Sequence, residues 1–360
     1  VIDFQSGSIT FKFCSFNQNS ANSGGAAIIW NAANAFEDCT FDGNTGSAGG
    51  AINAFAATSV TRSTFRNNTT IAPVNSGGAI YNNSSINATD CTFESNRANV
   101  GGVIYTTSGT STFERCSMVG NSATASGGVA FHQFGGVVNY TNCLIARNTA
   151  SFFASVAFLG AGSASYTNCT IAENSGASQA VYANGTATVT ASNSILRNAG
   201  TELDGPGTRT ATFSNIEGGF AGTGNISAAP IYVDTLASDY RLVAGSPGID
   251  AGNNALLPIS VTTDRAGMPR FKDDASTADT GVGPAPIADM GAYEFQPAVA
   301  PPCIGDADGN RSVNFTDITA VLANFGTDYT TTGPGDADIN GTVNFTDITT
   351  VLANFGTNCP

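Results

Sequence analysis

Phe36-Glu37-Asp38-Cys39-Thr40-Phe41-Asp42-Gly43-Asn44-Thr45-Gly46-Ser47-Ala48-Gly49-Gly50-Ala51-Ile52 decides how the first two hundred residues fold. It holds four landmarks: a small residue at Cys39, an apolar one two places on, an asparagine five places on, and a Gly-Gly pair. The first landmark recurs at Cys14, Cys39, Ser63, Cys91, Cys116, Cys143, Cys169 and Asn193. Successive starts lie 25, 24, 28, 25, 27, 26 and 24 residues apart, a period typical of stacked repeats. Two residues after them come Phe16, Phe41, Phe65, Phe93, Met118, Ile145, Ile171 and Ile195. Five residues after them come Asn19, Asn44, Asn68, Asn96, Asn121, Asn148, Asn174 and Asn198, without exception. Gly24-Gly25, Gly49-Gly50, Gly77-Gly78, Gly101-Gly102 and Gly127-Gly128 form a third register, which decays to Ser155-Val156 and Gln179-Ala180.

A turn of about 25 residues is too short for a helix pair and suits three short strands joined by tight bends. Residues two apart face the same side of a strand, so each start and its apolar neighbour point inward together. Asparagine tolerates unusual backbone angles at a bend, and stacked asparagines can bond amide to amide in a ladder. The Gly-Gly step fits a bend where a Cβ would clash. The expected fold is mainly β, a right-handed parallel β-helix over residues 1–224, with eight rungs in a rod of roughly 40 Å. This segment resembles the extracellular right-handed β-helix repeat proteins of the polymorphic outer-membrane and pectate-lyase-like kinds. That resemblance implies the fold; its members include pectin-degrading enzymes, adhesins and inert stalks.

Residues 225–295 leave the period. Ser246-Pro247-Gly248-Ile249-Asp250-Ala251-Gly252, Asp264-Arg265-Ala266-Gly267-Met268-Pro269-Arg270 and Asp289-Met290-Gly291-Ala292-Tyr293-Glu294 look like the C-terminal cap of secreted bacterial β-helix proteins. Such a cap is expected to cover the last rung. Asp264, Arg265, Arg270, Asp289 and Glu294 read as a salt-bridge network within it.

A Pro/Ala-rich linker, 296–302, leads to residues 303–360. Asp336, Asp338, Asn340, Thr342, Asn344 and Asp347 occupy positions 1, 3, 5, 7, 9 and 12 of a loop with Gly341 at position 6. This is the spacing that folds hard oxygen ligands around Ca2+, position 7 lending its carbonyl and Asp replacing the usual final Glu. Thirty residues earlier, Asp306, Asp308, Asn310, Ser312, Asn314 and Asp317 repeat it with Arg311 at position 6. The first of the two calcium sites is therefore expected to be the weaker. Each loop runs into a short helix: Ile318, Val321, Leu322 and Phe325 follow helical spacing, as do Ile348, Val351, Leu352 and Phe355. Two such loop–helix units resemble a type I dockerin. The resemblance implies a calcium-binding α-helical module that docks a cohesin domain, through either of two nearly identical faces. Cys303 and Cys359 bracket it, and a disulfide between them would staple a domain this small. That points to an oxidising, extracellular or cell-surface setting. The other six cysteines share one stacked register and read as buried thiols, with adjacent-rung disulfides left open.

Charged residues make up 11% of the 360, with 13 basic against 27 acidic, so a phosphate-neutralising nucleic-acid surface is excluded. One histidine, His132, excludes a His-cluster mechanism, and beside Phe131 and Phe134 it reads as a surface or satisfied residue. No apolar run reaches the length of a membrane span, and Val1 leads straight into strand-like sequence without a leader pattern. The chain opens inside a repeat, so the first rung is expected to be covered by further sequence or by a neighbouring copy. Asp38, Asp42, Glu94, Arg97, Glu114, Arg115, Arg147, Glu173 and Arg197 are scattered along the coil without a paired-carboxylate motif. These features favour a non-catalytic structural or adhesive scaffold, attached or assembled head to tail through the calcium module, in one form a filament subunit. The alternative is a secreted polysaccharide lyase, hydrolase or carbohydrate binder delivered by that module.

Overall fold

Alternation dictates the rungs. In Thr40-Phe41-Asp42 the central ring is buried while its neighbours are half-exposed, and the same pattern recurs at Thr64-Phe65-Arg66 and Thr92-Phe93-Glu94. A computed structural model describes residues 2–71, 77–297 and 303–358. Its contacts divide the chain into two units, 1–296 and 297–360. The first unit is a parallel β-solenoid. Three nine-stranded sheets run along it, each strand paired in parallel with its equivalent one rung away. The first sheet begins at Ile2–Phe4, the second at Thr10–Lys12 and the third at Ser15–Asn17. The third ends at Asn215–Ile216, one rung beyond the eight repeats counted in the sequence.

In-register pairing stacks like on like. Phe16, Phe41, Phe65 and Phe93 form one inward column, with ring centroids 4.8, 4.4 and 5.0 Å apart. Each buried ring removes roughly 2–3 kcal/mol worth of apolar surface from water. The six solenoid cysteines are free thiols, all but Cys14 buried, and Ser63 and Ser194 stand in the same column. Burial drives the Cys116 and Cys143 thiols far above their ordinary range, so they act as small apolar residues.

Four details differ from the sequence expectation. A fourth, five-stranded sheet follows the asparagines in the middle rungs, where Thr45, Thr69 and their equivalents bond to the asparagine carbonyl of the preceding rung. The left-handed residue at that bend is the one before each asparagine from Asn19 to Asn174, including Gln18, Asn67, Ser95, Arg147 and Glu173. Preceding the asparagine with the bend leaves its own backbone free to aim the amide inward. In the eighth rung Ser194, not Asn193, takes the core position, because Ile195 pairs with Thr170 and Leu196 with Ile171. One residue fewer in that rung still brings Asn198 into line. The Gly-Gly counterpart in the sixth rung is likewise Ala154-Ser155, with Ala154 at φ 54°.

The glycine register is steric. A Cβ on Gly78 would lie 2.1 Å from the Gly102 carbonyl oxygen of the next rung, and one on Gly50 the same distance from Gly78. Backbones approach there more closely than any side chain permits.

The asparagines bond in series. The Asn121 amide nitrogen donates to Asn148 Oδ1 at 2.9 Å, and the Asn121 backbone N–H donates to the same oxygen at 2.8 Å. The amide also donates to the Phe93 carbonyl one rung back. The pattern runs from Asn19 through Asn44, Asn68, Asn96, Asn121, Asn148 and Asn174 to Asn198. There Glu202 ends it, accepting from the Asn198 backbone and amide nitrogens at 2.6 Å each.

Residues 225–295, expected as an end cap, meet the last rung only in part and pack largely along the flank. Asn142, Asn168 and Asn193, at three successive corners, donate to the carbonyls of Thr263, Asp289 and Asn253. Leu144, Ala146 and Ala172, on the outer face of the third sheet, pack with Tyr240. The last rung is closed by residues 220–226, whose Ile226 exchanges backbone bonds with Ser214 and Ile216.

Removing a mid-ladder amide orphans donors on the rung before it. Asn121→Ala should cost about 3 kcal/mol or more, since each buried unpaired group costs about 1–3 kcal/mol. Asn19→Ala, at the half-exposed start, should cost under about 1 kcal/mol; urea unfolding of the two variants compares them. Burial outweighs the Asn198 hydrogen bonds and pushes the Glu202 carboxyl up to about 7. The folded chain thus holds this proton more tightly than the unfolded one. The stability it contributes is complete below the ordinary Glu pKa of about 4.3 and is lost as pH rises through about 7. Glu202→Gln should reduce the slope of the stability profile across that window, to which the raised Asp289 also contributes.

Candidate metal centres

Each loop of the second unit is built as the N-terminal lead of a helix. Helix α1 spans Phe315–Ala323 and α2 spans Phe345–Ala353. Asn314 caps α1 through the Thr316 amide, while Asp317 Oδ2 accepts from the Asn314 N–H, and Asn344 and Asp347 repeat this box at α2. Asp317 Oδ1 accepts from the Ala307 and Asp308 amides, so the loop curls back over the helix start.

This curl gathers carboxylates. One oxygen each of Asp306, Asp308 and Asp317 lie within 4.8 Å of one another, and those of Asp336, Asp338 and Asp347 do the same. Asp250, Asp273 and Asp279 form a third such group in the solenoid unit. These three groups could hold metal ions. The remaining candidate ligands of the loops are engaged locally. The Asn310 and Asn340 carbonyl oxygens accept from the Ser312 and Thr342 amides, and Asn314 and Asn344 serve as caps. Thr316 and Thr346, which the spacing argument did not single out, donate to the Oδ2 of Asp308 and Asp338. Burial opposes ionisation of Asp308, but hydrogen bonds from the Thr316 hydroxyl and the Asn310 amide outweigh it and hold the carboxyl below its usual value.

Backbone strain does not set the first loop apart from the second. Positions 4 and 6 are left-handed in both loops: Gly309 at 78° and Arg311 at 65°, then Ile339 at 63° and Gly341 at 88°. Each loop places glycine at one position and a strained side chain at the other, and the β-branched Ile339 is the less tolerant occupant.

The helices bury less than their pattern suggests. Val321 and Val351 are fully buried, whereas Leu322 and Leu352 are 58% and 57% exposed, and Phe315 and Phe345 72% and 73%. Cys303 is disulfide-bonded. Cys359 lies outside the described residues, as does most of the 296–302 linker.

In the solenoid unit ten charged residues pair between rungs: Lys12 with Glu37, Arg62 with Asp38, Arg66 with Asp42, Arg115 with Asp90, and Arg147 with Glu173. The flank network is mostly side chain to backbone. Buried Arg270 donates to the Asp289 and Gly291 carbonyls and meets Glu294 at 3.7 Å. Asp264, Asp289 and Glu294 accept from backbone amides, and burial raises both Asp289 and Glu294. His132 is neither on the surface nor satisfied: it is fully buried, both ring nitrogens lack a partner, and burial lowers its pKa to about 4.

Arg311→Gly and Ile339→Gly should each stabilise the second unit, by about 1 kcal/mol, the usual cost of a left-handed L-residue. Calorimetric unfolding of the full chain in chelator measures both; a gain from Arg311→Gly alone would restore the asymmetry between the loops.

Residues 2–118, about a third of the chain, match the family described as the right handed beta helix region. Comparison with curated proteins and with solved structures gave no match.

Proposed function

We propose that this chain is a non-catalytic structural or adhesive scaffold acting outside the cell or at its surface. The solenoid is the body, and the paired loop–helix units form a calcium-dependent, type I dockerin-like module that attaches it to a protein partner. The observation that carries this reading is duplication. Both halves of the second unit combine an aspartate triad with the same exposed apolar residues, Phe315 and Leu322 in one, Phe345 and Leu352 in the other. Residues seven apart share a helix face, so each helix presents an apolar strip to solvent beside its ion loop. Exposed apolar side chains repeated in this way suit a docking surface. The disulfide at Cys303 supports an oxidising setting. Rung-to-rung pairing of the solenoid charges supports a cohesive rather than catalytic use of those side chains.

The partner is a cohesin-like domain or a second copy of this chain; in the latter case head-to-tail contact builds an open filament. Sedimentation velocity of the full chain, alone and with a panel of cohesin-like domains, tests both in calcium and after chelation. The expected result is a complex in calcium that chelator dissolves. Phe315→Ser with Leu322→Ser should leave the second face working, and adding Phe345→Ser and Leu352→Ser should abolish binding. A monomer in calcium that binds none of the panel overturns the proposal. Turnover of polygalacturonate or alginate, lost on replacing one carboxylate, would instead establish the lyase or hydrolase reading.

A further inference from the structure

Asp250 sits where the flank segment folds over itself. Its backbone N–H donates to Asp289 Oδ1 at 2.8 Å, and its carbonyl accepts from the Thr280 and Gly281 amides. The residue is fully buried and its backbone is left-handed, at φ 50°. Its carboxylate is therefore fixed in place. Oδ2 accepts from the Asp274 amide at 3.3 Å, but Oδ1 is buried with no partner. Buried carboxylate oxygens are almost always paired, because an orphan retains its full desolvation cost.

Two more carboxylates complete the arrangement. One oxygen each of Asp273 and Asp279, both exposed, lies within 4.8 Å of a carboxylate oxygen of Asp250 and of the other. Like charges this close repel unless a cation lies among them. The neighbouring arginine makes no ion pair with Asp250 among the described residues: Arg270 Nη2 donates to the Asp289 and Gly291 carbonyls and its Nε faces Glu294 at 3.7 Å. Asp274 is turned away, its oxygens held by Ser276 and Thr277.

We propose that Asp250, Asp273 and Asp279 bind a calcium ion that ties the 273–281 loop onto the solenoid unit. An all-carboxylate donor set selects a hard cation over zinc or copper. Calcium accepts irregular oxygen geometry and completes its shell with water, which the two exposed aspartates admit, whereas magnesium demands a closer octahedron. The ion satisfies Oδ1 of Asp250 and relieves the repulsion at once. This site is separate from the two loops near the C-terminus and does not depend on them.

The test uses the full chain with Asp306, Asp308, Asp336 and Asp338 changed to Asn, which removes the loop triads. Titration calorimetry with calcium alone should show one ion per chain, and Asp273→Asn with Asp279→Asn should abolish it. Amide exchange over 273–281 in the unaltered chain should slow at least tenfold in calcium, change little in magnesium, and be indifferent to calcium in the double variant. Both replaced residues are exposed, so an unchanged circular dichroism spectrum verifies the fold. Should the fourfold variant fail to fold, the unaltered chain must lose one bound ion on the double substitution. No loss of an ion, or protection that persists in the double variant, overturns the proposal. If the C-terminal loops bind nothing, the unaltered chain binds one ion here, so the two readings fail separately.

Discussion

The fold depends on one repeated bond, the asparagine amide donating up the stack to the next asparagine. Each Oδ1 takes two donors from the rung before, its neighbour's backbone N–H and amide, as in Asn68 to Asn96. Each amide also reaches back to a carbonyl, as Asn96 does to Phe65. A buried bend has backbone groups that neither sheet can pair, and this side chain pairs them. The requirement fixes the register at one corner, so differences in rung length fall elsewhere in the turn. The eighth rung shows the priority: with one residue fewer, the core position moves to Ser194 and the left-handed residue before the asparagine is lost, while Asn198 stays in line. The ladder is also directional. An amide at its end would leave a further NH2 to pair, whereas Glu202 only accepts, with one oxygen for each of the last two donors.

The ladder, the inward columns and the steric glycines were legible because each recurs every rung, and recurrence separates signal from an Asn- and Gly-rich background. What occurs once was not. Glu202 is an ordinary residue in the sequence; only the end of the ladder gives it a role. The flank packing did leave a trace that the repeat reading passed over. Outward positions in the third sheet are polar in Thr40-Phe41-Asp42 but apolar in Leu144-Ile145-Ala146, where all three residues are buried. An apolar residue on the solvent side of a rung marks where another segment lies. In the loops, spacing located the aspartates, but the rule of glycine at position 6 concealed that position 4 is left-handed as well.

The outer face of the first sheet carries a second column of rings, Tyr81, Tyr105, Phe131, Phe158 and Tyr182. They stack nearly parallel, with centroids 5.0–5.6 Å apart. Rings stacked along the solenoid give their faces to one another and only edges to solvent. The column adds to cohesion between rungs, as the paired charges do.

In the second unit neither half closes its own core. Ala307, Val313 and Val321 from one half meet Ala337, Val343 and Val351 from the other. The backbone bonds cross in the same way: Gly305 N–H to the Ala337 carbonyl and Gly335 N–H to that of Ala307, Gly326 to Val343 and Gly356 to Val313. Each helix end is thus held by the opposite loop. An ion bound in one loop would thereby also order the seat of the other helix, and would couple the two triads. The same crossing sets Phe315 against Phe355 and Phe345 against Phe325, and makes the two exposed apolar faces equivalent.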